Sequence, residues 1–140
     1  MILLDTDHFT ILRYTEHPRC AALTEKLAAR DQPVATTVIT FEEQMRGWLA
    51  EIRRQHSLQK QVTVYERLDD LADSFRRWKT VPFDTVAAHQ CERLKKSRIR
   101  IGTQDLKIAA IALVNNALLL SANLRDFKKV PGLRVENWLA

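Results

Sequence analysis

At 140 residues the chain has the length of one domain, in which an α/β core can bury about two thirds of the unfolded surface. Hydrophobic residues at 46% with only 3 Gly and 4 Pro exclude a disordered or fibrous chain, and no apolar run approaches the roughly 18 to 20 residues of a membrane span. Lys and Arg number 22 against 17 Asp and Glu, a net charge of +5 that favours a polyanionic partner without identifying one.

The amino terminus has no basic region ahead of a longer apolar one, so the chain is expected to stay in the cytoplasm. Ile2-Leu3-Leu4 is a short apolar run that stops at Asp5, the pattern of a buried parallel strand with a polar residue at its carboxyl end. Apolar residues at helical spacing predict helices over His8–Tyr14 and Arg19–Arg30, broken at His17-Pro18. The β-branched stretch Pro33–Ile39 predicts a second strand, and Thr40-Phe41-Glu42-Glu43 has the form of a capping box opening a helix through Met45, Trp48, Leu49 and Ile52. Residues Leu58–Lys79 predict one long amphipathic helix or a pair. Val81-Pro82-Phe83 is a minimal strand, and Asp84 caps a helix that closes in the basic stretch Arg93–Arg98. Thr103-Gln104-Asp105 opens an apolar helix running to Val114, Leu118–Leu120 is another buried strand ending at Ser121-Ala122-Asn123, and Leu133–Trp138 is an alternating edge strand.

Strands alternate with helices throughout, so the expected fold class is α/β, a parallel sheet sandwiched between helices in a single domain over residues 1–140. Parallel strands deliver their carboxyl ends to one edge. Asp5, Asp7, Glu43, Asp105, Asn123 and Asp126 all fall where such ends meet. Each has a plain alternative: Asp5 and Asp126 as caps, Glu43 as the end of its capping box, Asp105 at the positive end of its helix. Together they point elsewhere, because converging carboxylates repel and raise one another's pKa unless a hard cation such as Mg²⁺ sits between them. The two cysteines, Cys20 and Cys91, lack metal-ligand spacing and are expected to be small buried thiols. His8 lies near the acids in sequence but reads as a core residue, and His17, His56 and His89 have no metal spacing.

These residues carry a resemblance that spans nearly the whole chain. Leu3–Asp7, Ile39–Glu43 with Gly47 four residues on, Ile101–Ala110, Leu119–Phe127 and Pro131-Gly132-Leu133 with Asn137-Trp138 follow one another as in a PIN-domain ribonuclease, and within that group the chain resembles a VapC-type toxin of a toxin–antitoxin pair. Departures are Asp7 where the pattern usually has Asn, an additional acid at Glu42, and Ala122 in place of Asn. The resemblance implies a three-layer PIN-like fold with Asp5 and Asp105 as metal ligands and Glu43 and Asp126 as further catalytic acids. Asp7, Thr103 and Asn123 would support them. It implies Mg²⁺, with Mn²⁺ as a substitute, and hydrolysis of single-stranded or looped RNA to 5′-phosphate and 3′-hydroxyl ends. It also implies a VapB-like antitoxin partner. Arg13, Arg46, Lys95, Lys96 and Arg98 are candidates to follow the RNA backbone, and a two-fold homodimer is expected.

Two rival readings accompany it. Strand-Asp5-x-Asp7 also fits a haloacid-dehalogenase-like phosphotransferase with Asp5 as nucleophile, although the chain after residue 100 shows no Gly-Asp-rich metal motif. A non-catalytic PIN-like module binding RNA or protein is the other, against which stand Asp5, Glu43 and Asp105.

Overall fold

The computed structural model describes residues 1–139. Five strands form one sheet: β1 (Ile2–Leu4), β2 (Val34–Thr37), β3 (Thr80–Val81), β4 (Leu118–Leu120) and β5 (Arg134–Glu136), in the spatial order β3-β2-β1-β4-β5. Every pairing is parallel. The helices are α1 (Thr6–Arg13), α2 (Cys20–Arg30), α3 (Val38–Arg54), α4 (Leu58–Arg77), α5 (Thr85–Lys96), α6 (Thr103–Val114) and the short α7 (Leu124–Phe127).

The two faces of β1 read directly from its alternation. Leu3 joins a cluster with Ala87, Cys91 and Leu94 of α5 and Ile108–Ala112 of α6. Ile2 and Leu4 join Phe9 of α1 and Leu23 and Leu27 of α2, with Phe75 and Trp78 from the end of α4 packed against them. Helices therefore cover both faces, giving the expected α/β sandwich. Cys20 and Cys91 are free and buried, as expected. Among the described residues no helix is long and apolar enough to cross a membrane.

The departures from sequence expectation are local. Strand β2 ends at Thr37 rather than Ile39, and α3 starts at Val38. Its N-cap is Thr37, whose hydroxyl accepts from the Thr40 amide at 3.2 Å. Thr40 itself is buried inside the helix, so the capping box ending at Glu43 does not form. Val38 and Ile39 look like strand because Ile39 is buried in the core and Val38 packs against it. The first helix starts at Thr6 rather than His8, because Asp5 caps it. Leu58–Arg77 is one helix, the strand expected at Val81–Phe83 lies instead at Thr80–Val81, and Leu133–Trp138 contracts to Arg134–Glu136.

The chain winds outward from β1 in both directions, to β2 and β3 on one side and to β4 and β5 on the other. The β1/β4 boundary is thus the switch point, outside whose carboxyl edge open α/β sheets bind ligands. Leu4 is in register with Leu120, so Asp5 and Ser121 emerge side by side there.

Candidate active site

Asp5 is the buried centre of this edge. One carboxylate oxygen, Oδ1, accepts from the Thr6 amide at 2.8 Å, and Oδ2 accepts from the Ser121 hydroxyl at 2.7 Å. Burial nevertheless pushes its pKa up to about 6, with the charges of Asp7 and Asp105 adding to the rise. Asp5 is also the cap of α1, so the plain role and the chemical one coexist in one side chain.

Relieved of capping, Glu43 turns toward α1, where its Oε2 accepts from the Thr6 hydroxyl at 2.8 Å. Burial and the neighbouring charges of Asp105 and Glu42 raise its pKa. Asp105, in the first turn of α6, is raised by burial and by Asp126. The Asn123 side-chain amide lies between these last two, donating to Asp105 Oδ2 at 3.1 Å and to Asp126 Oδ2 at 3.2 Å. Asp126 behaves oppositely: the hydrogen bond from Asn123 and the Lys129 ammonium, 3.3 Å away, hold its pKa down.

Asp7 adds its charge to Asp5 and Asp105 but has its own compensation. Burial works against its ionisation, but the His8 ring and the Ala122 amide outweigh burial and its pKa is lowered. Its Oδ1 takes hydrogen bonds from His8 Nδ1 at 2.5 Å and from the His8 amide at 2.6 Å, and Oδ2 from the Ala122 amide at 2.9 Å. His8 is fully buried, and its Nε2 accepts from the Trp138 amide at 3.1 Å, so the ring proton sits on Nδ1. This is a structural histidine. Thr103 is exposed at the start of α6 and makes no hydrogen bond to the acids among the described residues. Sequence reasoning missed Thr6 and Ser121, the two hydroxyls that orient Glu43 and Asp5. Their signal was position, one between two acids and one directly after a buried strand.

The donor set is all oxygen. Among the described residues no three or more Asp, Glu, His or Cys side chains close around one point to hold an ion by themselves. Three carboxylates with raised proton affinity nevertheless share one edge, leaving negative charge the protein does not neutralise. That arrangement fits a hard divalent ion of the Mg²⁺ kind, held by one or two carboxylates and completed by water.

Over residues 2–133 the chain matches the family described as PIN domain. The chain belongs to the PIN-domain family. Its relatives include "Ribonuclease VapC2" of Rickettsia felis, 25% identical over 97% of this chain and 96% of the relative. They also include "tRNA(fMet)-specific endonuclease VapC" of Salmonella typhimurium, 26% identical over 97% of this chain and 96% of that protein. Among solved structures it resembles VapBC2 of Rickettsia felis bound to a promoter DNA fragment, with a TM-score of 0.69 and 25% identity over 99% of both chains.

In this PIN domain the helices carrying Glu43 and Asp105 are tied together next to the acids. Gln104 Nε2 donates to Glu42 Oε1 at 2.8 Å, across 62 residues of sequence. Arg46 pairs with the other Glu42 oxygen at 2.5 Å, and Lys107 donates to Gln104 Oε1 at 3.2 Å. The extra acid at position 42 is thus part of a brace between α3 and α6. Of the basic candidates, Arg46 is engaged in this brace and Arg13 donates to Ser74 Oγ at 3.0 Å. Lys95, Lys96 and Arg98 are exposed and form no ion pair with the acids among the described residues.

Proposed function

We propose that this chain is a divalent-metal-dependent endoribonuclease acting in the cytoplasm as the toxin of a toxin–antitoxin pair. The observation that carries this reading is the set of raised-pKa carboxylates, Asp5, Glu43 and Asp105, at the switch point of a PIN fold. The names of its VapC relatives support the ribonuclease class.

In this reading Asp5 and Asp105 hold Mg²⁺, or Mn²⁺ in its place, directly. When bound, such an ion supplies a water of lowered pKa and neutralises charge on the phosphoryl oxygens. The chain's own residues do the positioning. Ser121 and the Thr6 amide fix the Asp5 carboxylate, and Thr6 Oγ1 holds Glu43 Oε2, leaving Glu43 Oε1 to receive a proton from the attacking water. Asn123 keeps Asp105 and Asp126 at a fixed separation while Asp126 orients water. The water oxygen bonds to phosphorus as the bond to the 3′ oxygen breaks. That oxygen takes a proton from solvent, leaving a 3′-hydroxyl and a 5′-phosphate.

As partner we propose a small VapB-like antitoxin whose carboxyl-terminal segment folds on binding and brings a basic side chain to the acids. The solved VapBC complexes similar in fold support this. We also propose a two-fold homodimer, supported by the exposed stripe Leu58, Val62 and Tyr65 on α4. The phosphotransferase reading is not favoured, because the chain matches the PIN domain over residues 2–133 and has no Gly-Asp-rich metal motif after residue 100. A non-catalytic module would have no need of uncompensated acids.

The test is induced expression followed by mapping of new 5′-phosphate RNA ends. Growth arrest and discrete cleavage, both lost in Asp105→Asn, are expected. Folded, Mn²⁺-binding protein that leaves growth and RNA intact would overturn the reading.

A further inference from the structure

Beside the acids, between α3 and α4, lies a cleft of about 710 Å³ whose wall begins at Glu43 and continues through Gly47, Trp48 and Val64 to Lys60 and Arg67. It is a preformed feature. The turn joining the two helices is pinned by Gln61 Nε2, which donates to the Ile52 and Gln55 carbonyls at 3.2 Å each.

Three observations indicate what would fill it. Trp78 packs edge-on against Phe9 and Trp138 lies under the Arg30 guanidinium, 5.0 Å away. Trp48, also in the cleft wall, has no aromatic, cationic or hydrogen-bonding partner among the described residues. Arg46, Arg54 and Arg77 are each paired with an acid on their own helix, whereas Lys60 and Arg67 pair with none among the described residues. The cleft acid Glu51 is already engaged, by Arg54 at 2.8 Å and by Gln55 at 3.0 Å. Finally, a Cβ at Gly47 would meet nothing within 4 Å, so this part of the cleft wall, one residue from Trp48, faces open space.

We propose that this cleft seats an unpaired nucleotide of single-stranded RNA next to the phosphodiester that is cut. Its base lies against the Trp48 indole, and the strand's phosphates lie along Lys60 and Arg67. Stacking on an indole together with free cations is how proteins hold single strands without reading a duplex. Glu43 lines the cleft and also stands among the acids, so one strand can reach both. At 100° per residue, Lys60, Val64 and Arg67 occupy the side of α4 opposite Leu58, Val62 and Tyr65, so a dimer formed through that apolar stripe would leave the cleft open. The inference rests on the ribonuclease reading and adds to it the residues that hold the strand beside the cut.

The experiment measures binding of fluorescein-labelled single-stranded RNA to the cleavage-deficient Asp105→Asn chain, with and without Trp48→Ala. Loss of one stacked base should weaken binding about tenfold, and Trp48→Phe should restore most of the loss, while Trp48→Ala made in the chain that keeps Asp105 should bind Mn²⁺ as tightly as wild type. An RNA with one abasic nucleotide beside the cut should lose the same factor against the chain that keeps Trp48, and nothing more against the Trp48→Ala variant. Lys60→Ala and Arg67→Ala should each lower the salt slope of log Kd by about 0.7. Gly47→Gln, a favourable helix substitution that fills the opening, should weaken RNA binding without lowering Tm, which separates occupancy from folding. The proposal fails if Trp48→Ala and Gly47→Gln both leave RNA affinity unaltered, or if Trp48→Ala converts a dimer to monomers, which would make a second copy the occupant. A wild-type chain that neither binds nor cuts RNA would remove the ribonuclease reading first.

Discussion

Asp5 and Asp7 stand two residues apart on one turn of chain, yet they face opposite electrostatic settings. Asp7 belongs to a closed arrangement in which His8 and the Ala122 amide meet its charge and His8 in turn ties to the Trp138 backbone, so its pKa is lowered. Asp5 belongs to an open one, where burial and the charges of Asp7 and Asp105 push its pKa to about 6. The difference separates an acid satisfied by the protein from one that awaits a counter-charge. Asp5 is the more deeply buried and burial prevails there, whereas at the half-buried Asp7 the hydrogen bonds from His8 and Ala122 prevail.

The sharpest way to break the comparison is to remove an open acid. Asp5→Asn and Asp105→Asn are each expected to abolish Mn²⁺ binding and RNA cleavage while the fold survives, read by calorimetric titration and a cleavage assay on the same samples. Retained cleavage in either variant would exclude that residue as a ligand.

The closed region predicts a loss of another kind. His8→Ala removes a fully buried ring and strands Asp7 and the Trp138 amide, which should cost about 3 kcal/mol in chemical denaturation. The Mn²⁺ stoichiometry should be preserved. A variant of wild-type stability would show that this link does not hold the carboxyl-terminal strand region to α1.

The pH dependence of the metal-free protein sharpens the contrast. Asp5 has a folded pKa raised from 3.8 to about 6, so its contribution to stability is fully present below pH 4 and is lost as pH rises through 6. Asp7 has a lowered folded pKa, so its contribution is present above pH 4 and fades on acidification. Metal-free Asp5→Asn should therefore be more stable than wild type at pH 7.5, by up to about 3 kcal/mol. The gain should shrink toward pH 4.5 and vanish when Mn²⁺ saturates the wild type. A gain independent of pH would point to packing instead of charge.

The sheet and its helices were legible because apolar runs and helical spacing are local signals, and Asp5 and Asp105 were legible because they end or open such segments. The start of α3 was not. Thr37 and Thr40 are both competent caps, and only the burial of Thr40 and Ile39 in the assembled core decides between them. Contacts distant in sequence were equally hidden. Ser121 meets Asp5 across 116 residues and Trp138 meets His8 across 130, and no spacing rule links such pairs. The choice between Asn123 and Asp126 stays a matter for kinetics, since Asn123 touches Asp126 and Asp105 alike. Asn123→Ala is expected to lower turnover about tenfold, with a smaller change in metal affinity. Undiminished turnover would leave Asp126 as the residue that matters in this turn.

The smallest expected effect lies in the brace between α3 and α6, where the chain departs from the family pattern by placing Glu42 beside Glu43. Glu42 accepts from Gln104 and from Arg46, and its pKa is lowered first by the Gln104 hydrogen bond. It is thereby a charge already compensated, next to two that are not. Gln104 precedes Asp105 as Glu42 precedes Glu43, so their hydrogen bond sets how far apart the helices hold the two open acids. Gln104→Leu should loosen that spacing and weaken Mn²⁺ binding about three- to fivefold, the scale of one partly exposed hydrogen bond to a charged group. Gln104→Glu should weaken it further, by setting like charges against each other. Adding Glu42→Gln to Gln104→Glu rebuilds the pair with donor and acceptor exchanged, and should recover most of the affinity. Equal Mn²⁺ affinity in all of these proteins would reduce the brace to a surface contact, whereas recovery in the exchanged pair alone would tie metal affinity to the spacing of α3 and α6.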